Sequence, residues 1–457
     1  MKENSTKNAI TATRLSEKHH MTIHWLDYVS DDSVKAKDAD LRERTMLVGH
    51  ISYLLLSAGT GAWRVLDSMD SIARELGMTC TADIGLVSLN YTCFENGNDY
   101  SMSLGLPTTG VNTDRLNLLE NFVNNFHDRG ANMTLREIHS ELAAISTKKG
   151  NYSAFQAGLA SGIACFGFTF LLGGGLVEMI ASFIGAGGGN WLRRKLIDKH
   201  ISLFACIIPS VALACILSIL TYRIGKAAFG FSPQHEAGYI CAMLFVIPGF
   251  PLITGGIDLA KSHMRSGIER MTYAVMIITV ATLTGWCVAT FLHIAPEDFI
   301  KLNLSPVQRI SLRLLCSFLG VFGFSEMFNS PRKMAFTAGI IGMLANTLRL
   351  ELVTNLAMPG AIAAFIGALT AGLLASVVNK KVHYPRISIS VPSIVIMVPG
   401  MYLYRGVYLL GASNIENLHV IGGGAEWLVS GVFMILALPL GLVVARILTD
   451  SSFRITN

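Results

Sequence analysis

The chain has 457 residues, 51% of them hydrophobic and only 15% charged, with a mean hydropathy of +0.49. Soluble chains carry about 25% charged residues, so one large soluble enzyme is excluded. Residues 1–150 hold 19 acids and 15 bases, and the rest of the chain holds 12 acids and 21 bases. The net charge of +5 is therefore an acidic third plus a basic remainder, not a nucleic-acid surface.

Residues 1–44 form a polar N-terminal tail without the apolar core of a secretory signal. His19, His20 and His24 lie in it, but a floppy terminus makes a poor metal site, and no metal or cofactor is expected. Eight cysteines form no CxxC pair, and six lie in apolar stretches, which reads as small reduced core residues.

Residues 45–150 read as a cytoplasmic α+β domain. Apolar positions from Leu47 to Leu76 recur at helical spacing and are interrupted at Gly59-Thr60-Gly61, a helix kink rather than a ligand loop. Val87, Leu89, Tyr91 and Cys93 then alternate with polar residues, Asn96-Gly97 supplies a tight turn, and Tyr100 to Leu106 alternate again. That pattern predicts a hairpin. Two helices follow, at about 113–126 and from Thr134, where Glu137 completes a capping box. No nucleophile–base spacing or phosphate loop occurs, which argues against an enzyme.

After Lys148-Lys149 ten apolar stretches follow, centred on roughly 153–172, 174–191, 202–221, 237–259, 271–292, 307–328, 332–349, 356–378, 387–410 and 424–446. Most approach the ~20 residues needed to cross a bilayer. The expected fold is a mostly α integral membrane protein of about ten spans behind the α+β domain. The second stretch, with Glu178 and the glycine-rich run from Gly185 to Gly189, has the least certain length. Counted from a cytoplasmic N-terminus, the inner loops hold twelve Lys and Arg, among them Arg193, Lys261, Arg332 and Lys380, against five outside. The positive-inside rule then puts both termini in the cytoplasm.

The fourth stretch is broken at Pro248-Gly249 and the ninth at Pro399-Gly400, 151 residues apart, in corresponding positions of two five-span modules, 151–300 and 301–450. Five is odd, so the second module enters the membrane inverted. Paired broken helices of this kind expose backbone groups to substrate near the midplane.

Ser57-Ala-Gly59-Thr-Gly61-Ala-Trp63-Arg64-Val65 resembles the signature of the cytoplasmic domain of threonine/serine exporters. The stretch from Gly238 through Ile247-Pro248-Gly249-Phe250-Pro251 to Thr254, continuing through Asp258 and Gly267-Ile-Glu-Arg270, is a closer match. Phe324 to Arg332 and Val391 to Gly406 look like the family's smaller module. The resemblance covers roughly 45–450 and implies proton-driven export of threonine, serine or similar small solutes. Some two-chain relatives look like dicarboxylate exporters. The sequence departs from the family pattern at 107–112, which lacks an expected Thr-Arg pair, and at Glu326, where an apolar residue is expected.

Ionisable side chains at membrane depth are costly and point to function. Arg405, five residues after Gly400, offers a fork for a substrate carboxylate. Thr254, five after Gly249, is its counterpart in the repeat and shares a helix face with Asp258. The substrate-binding candidates are Pro248, Gly249, Phe250, Thr254, Pro399, Gly400, Tyr402 and Arg405. The proton-coupling candidates are Asp258, Glu178 and Glu326. The alternatives are a succinate-like dicarboxylate exporter and a passive channel, though a channel needs a more continuous polar lining. The expected partners are a small solute and the lipid bilayer of the cytoplasmic (inner) membrane, with no nucleic acid; a homo-oligomer is allowed.

Overall fold

The computed structural model describes residues 23–107, 109–230, 238–294, 299–300, 302–382, 384–412 and 418–454; His19 and His20 lie outside them. The chain divides into two compact units. The first holds most of the residues up to Lys148; the second holds Gly59–Trp63, Val111–Asn117 and everything from Lys149 onward.

In the first unit, α1 (Leu41–Ser57) buries Met46, Leu47, Ile51, Leu54 and Leu55, and its Asp40 cap accepts the Arg42 N–H. α2 (Ala62–Glu75) follows the Gly59-Thr60-Gly61 interruption. The expected hairpin is β2 (Ser88–Glu95) and β3 (Asn98–Gly105), with Leu89, Tyr91 and Cys93 facing inward. Asn96 and Gly97 both have positive φ, 51° and 82°, as a two-residue hairpin turn of matching twist requires. A third strand, β1 (Thr79–Ile84), pairs antiparallel with β2. Its Thr-Cys-Thr-Ala-Asp-Ile sequence shows no apolar alternation, and it is specified by its partner rather than by its own pattern. α3 (Thr113–Asn124) and α4 (Leu135–Thr147) close the unit, the latter with the Thr134–Glu137 capping box formed.

The second unit is helical. Its elements are α5 (Ala154–Leu171), α6 (Leu176–Ile197), α7 (Leu203–Phe229), α8 (Gly238–Met243), α9 (Gly249–Ala260) and α10 (Met264–Phe291). Then come α11 (Pro306–Met327), α12 (Arg332–Leu356), α13 (Gly360–Val382), α14 (Arg386–Val395), α15 (Gly400–Ala412), α16 (Leu418–Thr449) and the single turn α17 (Ser451–Arg454). Among the described residues seven helices are long and apolar enough to cross a membrane; the bent pairs at the two Pro-Gly sites bring the total to nine. Against the expected count of about ten, the described residues thus give seven to nine. The missing one is α6, where Glu178, Asn190 and four glycines dilute the apolar character. α6 nevertheless packs against α5, α7 and α8, and Asn190 donates to the Ala157 carbonyl at 2.8 Å.

The two helix sets pack in the same order. α6 touches α5, α7 and α8, while α10 touches α7 and α9; likewise α12 touches α11, α13 and α14, while α16 touches α13 and α15. α5 and α11 join the sets backbone to backbone. A Cβ at Gly167 would stand 2.4 Å from the Cys316 carbonyl oxygen, and one at Gly323 would stand 2.4 Å from that of Ala160. Only glycine permits this approach, as in other membrane helix pairs.

In the first unit His50 and His139 are buried, with Nδ1 atoms 2.8 Å apart, and Trp25 stacks on His50 at 4.3 Å. That contact accommodates one shared proton; a second would set two N–H groups against each other. Burial holds His50 down to about 2, with His139 beside it adding to the effect, and burial alone holds His139 down to about 4. An unfolded histidine titrates near 6.5, so below that pH the unfolded chain binds more protons than the fold. Stability should be complete above about pH 6.5 and decline as pH falls toward 4. Hydrogen exchange of α1 and α4 amides in the full protein should show this decline, and His50→Leu/His139→Leu should flatten it.

Candidate transport site

A proline has no N–H to give and its ring clashes with the preceding turn, so each Pro-Gly pair stops one helix and starts another. The α8–α9 span bends by 57° and the α14–α15 span by 47°. The two breaks are closed alike. Gly249 N–H donates to the Ile247 carbonyl at 2.8 Å, and Gly400 N–H to that of Val398 at 2.9 Å. Leu252 N–H returns to the Pro248 carbonyl at 3.1 Å, and Leu403 N–H to that of Pro399 at 3.1 Å.

The breaks also cross each other. A Cβ on Gly249 would come within 3.1 Å of Val395 and 3.3 Å of Val398; one on Gly400 would come within 2.9 Å of Leu244 and 3.2 Å of Ile247. Shifted by 151 residues, these two contact sets are the same set. Around the crossing Phe250 is buried edge-on to Phe328, with ring centroids 5.4 Å apart. Thr254 is buried, and its hydroxyl donates to the Phe250 carbonyl of its own helix at 3.0 Å.

One polar group gathers beside the segments that flank the breaks. The Tyr239 and Tyr404 hydroxyls, from α8 and α15, share a hydrogen bond at 2.8 Å. Glu178, buried at the start of α6, accepts the Gly175 N–H at 2.9 Å, and its Cβ lies 3.3 Å from where a Gly238 side chain would begin. Arg405 sits 5.3 Å above the Trp427 ring, and Tyr402 meets the same ring edge-on at 4.7 Å. Tyr402 and Arg405, both singled out from sequence, meet on the Trp427 ring, while Glu178 lies beside Gly238. Tyr239 joins them unforeseen; its only sequence signal is its place in the family-like Gly238–Thr254 stretch.

Asp258 belongs to another group, at the far end of α9. It is fully buried and accepts from Ser266 Oγ at 2.9 Å and from the Ala62 N–H at 3.1 Å, while Arg270 Nε lies 3.3 Å away. Arg270, itself 2% exposed, donates to the Thr60 carbonyl at 2.7 Å. Asp258 therefore caps the first residues of α2, and the Gly59–Trp63 segment is held by the membrane unit. Gly61 is required here: a Cβ would stand 2.7 Å from Asp258 Oδ1. Lys261, the sequence-level neighbour of Asp258, instead donates to the Phe453 carbonyl at 3.0 Å. Ser266 and Arg270 are one turn apart on α10, a spacing visible in the sequence once Asp258 is given a partner. Glu326 sits at the end of α11, 3.6 Å from Arg332. Close by, Asn112 and Thr113 bond to Asn329 and Ser330.

Removing one member of a buried ion pair costs about 3–5 kcal/mol, because the other charge is stranded. Arg270→Gln should therefore lower the apparent Tm of the solubilised protein sharply. Asp258→Asn/Arg270→Gln should recover part of that loss, a non-additivity that thermal unfolding of the four proteins reads directly.

Two family profiles match the chain. That described as "Putative threonine/serine exporter" covers residues 46–293, and "Threonine/Serine exporter, ThrE" covers 313–448. A "Probable threonine/serine exporter" from Mycobacterium tuberculosis is 19% identical over 90% of this chain and 78% of its own length. A "Probable succinate transporter subunit YjjP" from Klebsiella aerogenes is 23% identical over 55% of this chain and 95% of its own. The "Pheromone-regulated membrane protein 10" of Debaryomyces hansenii is 21% identical over 62% of this chain and 28% of its own. No solved structure matches. With more than half of the chain under the first profile and most of the remainder under the second, this multi-pass membrane protein belongs to the threonine/serine exporter family.

Proposed function

We propose that the protein exports threonine, serine or a related small carboxylate by alternating access about the crossing of its two broken helices, driven by proton entry from the opposite side. The observation that carries this reading is the reciprocal contact of Gly249 and Gly400, each seated on the other break. Such symmetry is what two inverted copies of one five-helix module produce, and transporters of that design bind substrate at the repeat interface. The matching order of helix packing supports the same relation. Pro248, Gly249, Phe250, Thr254, Pro399 and Gly400 form the floor of the site, with Tyr402 and Arg405 on its wall. The Arg405 guanidinium, its position fixed over Trp427, receives the carboxylate.

Proton coupling falls to Glu178 first, a buried carboxyl packed against Gly238 at the head of the first broken span. Asp258 couples through its grip on Arg270 and the Gly59–Trp63 segment, and Glu326 through Arg332. The loop-charge asymmetry supports a cytoplasmic N-terminal domain and C-terminus, in an inner membrane.

Uptake of labelled threonine, serine and succinate into everted vesicles tests the reading; dependence on an imposed pH gradient is expected, and uptake of none of the three would end it. Arg405→Lys should raise KM about tenfold or more, because an ammonium cannot reproduce a planar two-donor fork. Glu178→Gln should abolish uphill accumulation under a pH gradient while solute exchange survives. Impermeant thiol labelling should reach a cysteine at Phe299 from outside and not one at Lys380.

A further inference from the structure

Where α9, α14 and α16 meet near α17, a cavity of about 30 Å³ remains, bordered by Trp63, Ser390, Arg386, Arg446 and Phe453. That is room for one or two waters and not for an amino acid. Its chemistry is nevertheless that of a carboxylate site, with two guanidinium groups, a serine hydroxyl and two aromatic walls. Ser390 lies on α14 little more than one turn before that helix ends at Val395, ahead of the Pro399-Gly400 break.

A carboxylate from the protein itself is already present. Oδ2 of Asp450 lies 3.5 Å from Arg386 and 3.4 Å from Arg446. The other oxygen of Asp450 accepts the Phe453 N–H at 3.4 Å and so holds the single turn α17. That turn carries Phe453, which is buried against Trp63 edge-on at 5.3 Å, against Arg446 at 4.8 Å and under the Lys261 ammonium at 4.6 Å. The Arg446 guanidinium in turn lies over the Trp63 ring, 4.0 Å from its centroid. One carboxylate thus fastens both arginines and the aromatic plug together.

We propose that Arg386 and Arg446 form a loading site for the solute carboxylate at the cytoplasmic mouth, and that Asp450 occupies it as a resident competitor until the solute displaces it. The inference rests on the export reading and gives that site a sided approach. Displacement frees α17, Phe453 leaves Trp63, and the cavity opens toward the crossing. A tethered carboxylate competes at high effective concentration, so only a solute that satisfies both guanidinium groups succeeds. A cation or an uncharged solute gains nothing at Arg386 and Arg446.

The test is KM measured separately on each face, in everted and right-side-out vesicles, with threonine and succinate as probes. Asp450→Asn removes the competitor and should lower KM on the cytoplasmic face about threefold or more, as expected when the competent state is no longer a small fraction. Arg386→Gln should raise it about tenfold, the loss of one charge-assisted contact. KM on the opposite face should move less than about twofold in both. A gain in Asp450→Asn cannot come from misfolding, which protects the test against an unstable Arg386→Gln. Unchanged KM in Asp450→Asn, or equal shifts on both faces, would overturn the loading site. Should wild-type vesicles move neither probe, the export reading fails by itself. Equilibrium binding of the two probes to protein in nanodiscs then decides the cavity: tighter binding by Asp450→Asn sustains it, and equal or absent binding overturns it.

Discussion

The constraint on which the membrane unit depends is that a proline inside a span takes one donor out of the helix where no water can replace it. A buried carbonyl left without a partner costs about 1–3 kcal/mol. This chain meets that constraint twice in the same way, by folding the glycine N–H back onto the residue before the proline. The two turns are then stacked on each other, so that the irregular backbone is enclosed by protein rather than lipid. Glycine at both positions lets the valine, leucine and isoleucine side chains of the opposing break pack close against the turn. The same economy brings α5 and α11 together, where Gly167 and Gly323 face carbonyl oxygens of the other helix.

Along the first broken span the polar chemistry is divided by the break. Before it stands Tyr239, bonded to Tyr404 and close to Glu178; after it stands Asp258, bonded to Ser266 and paired with Arg270. The two groups differ in physical character. Asp258 is held by fixed donors on a neighbouring helix and on the Gly59–Trp63 segment, which makes its charge costly to disturb. The Tyr239–Tyr404 contact is a single hydrogen bond between neutral groups, worth about 1 kcal/mol net. A contact of that size is easily broken when helices shift. A buried ion pair is not, which suits it to holding a segment of chain in place.

Much of the architecture was legible because its signals are local. The 3.6-residue and two-residue periodicities, the Asn96-Gly97 turn, the Thr134–Glu137 capping box and the long apolar stretches each depend on neighbours within about one turn or one span. The elements that escaped are those whose stability comes from a partner. β1 lacks apolar alternation and is ordered by pairing with β2. α6 was legible as the second apolar stretch, but its glycines and polar residues left its length open, and its three neighbours fix it at Leu176–Ile197.

By itself the sequence determined that this is a membrane protein with a small α+β domain, where its helices break, and which ionisable residues stand in or beside apolar stretches. Those properties follow from composition, periodicity and the chemistry of proline, which do not depend on distant contacts. Only the tertiary structure decided who partners whom. Asp258 is 196 residues from Ala62, Tyr239 is 165 from Tyr404, and Arg386 is 64 from Asp450. A charge is silent in sequence about the charge it meets, because the meeting is made by how helices cross, and in this chain the two broken helices cross where each break's glycine faces the apolar side chains of the other.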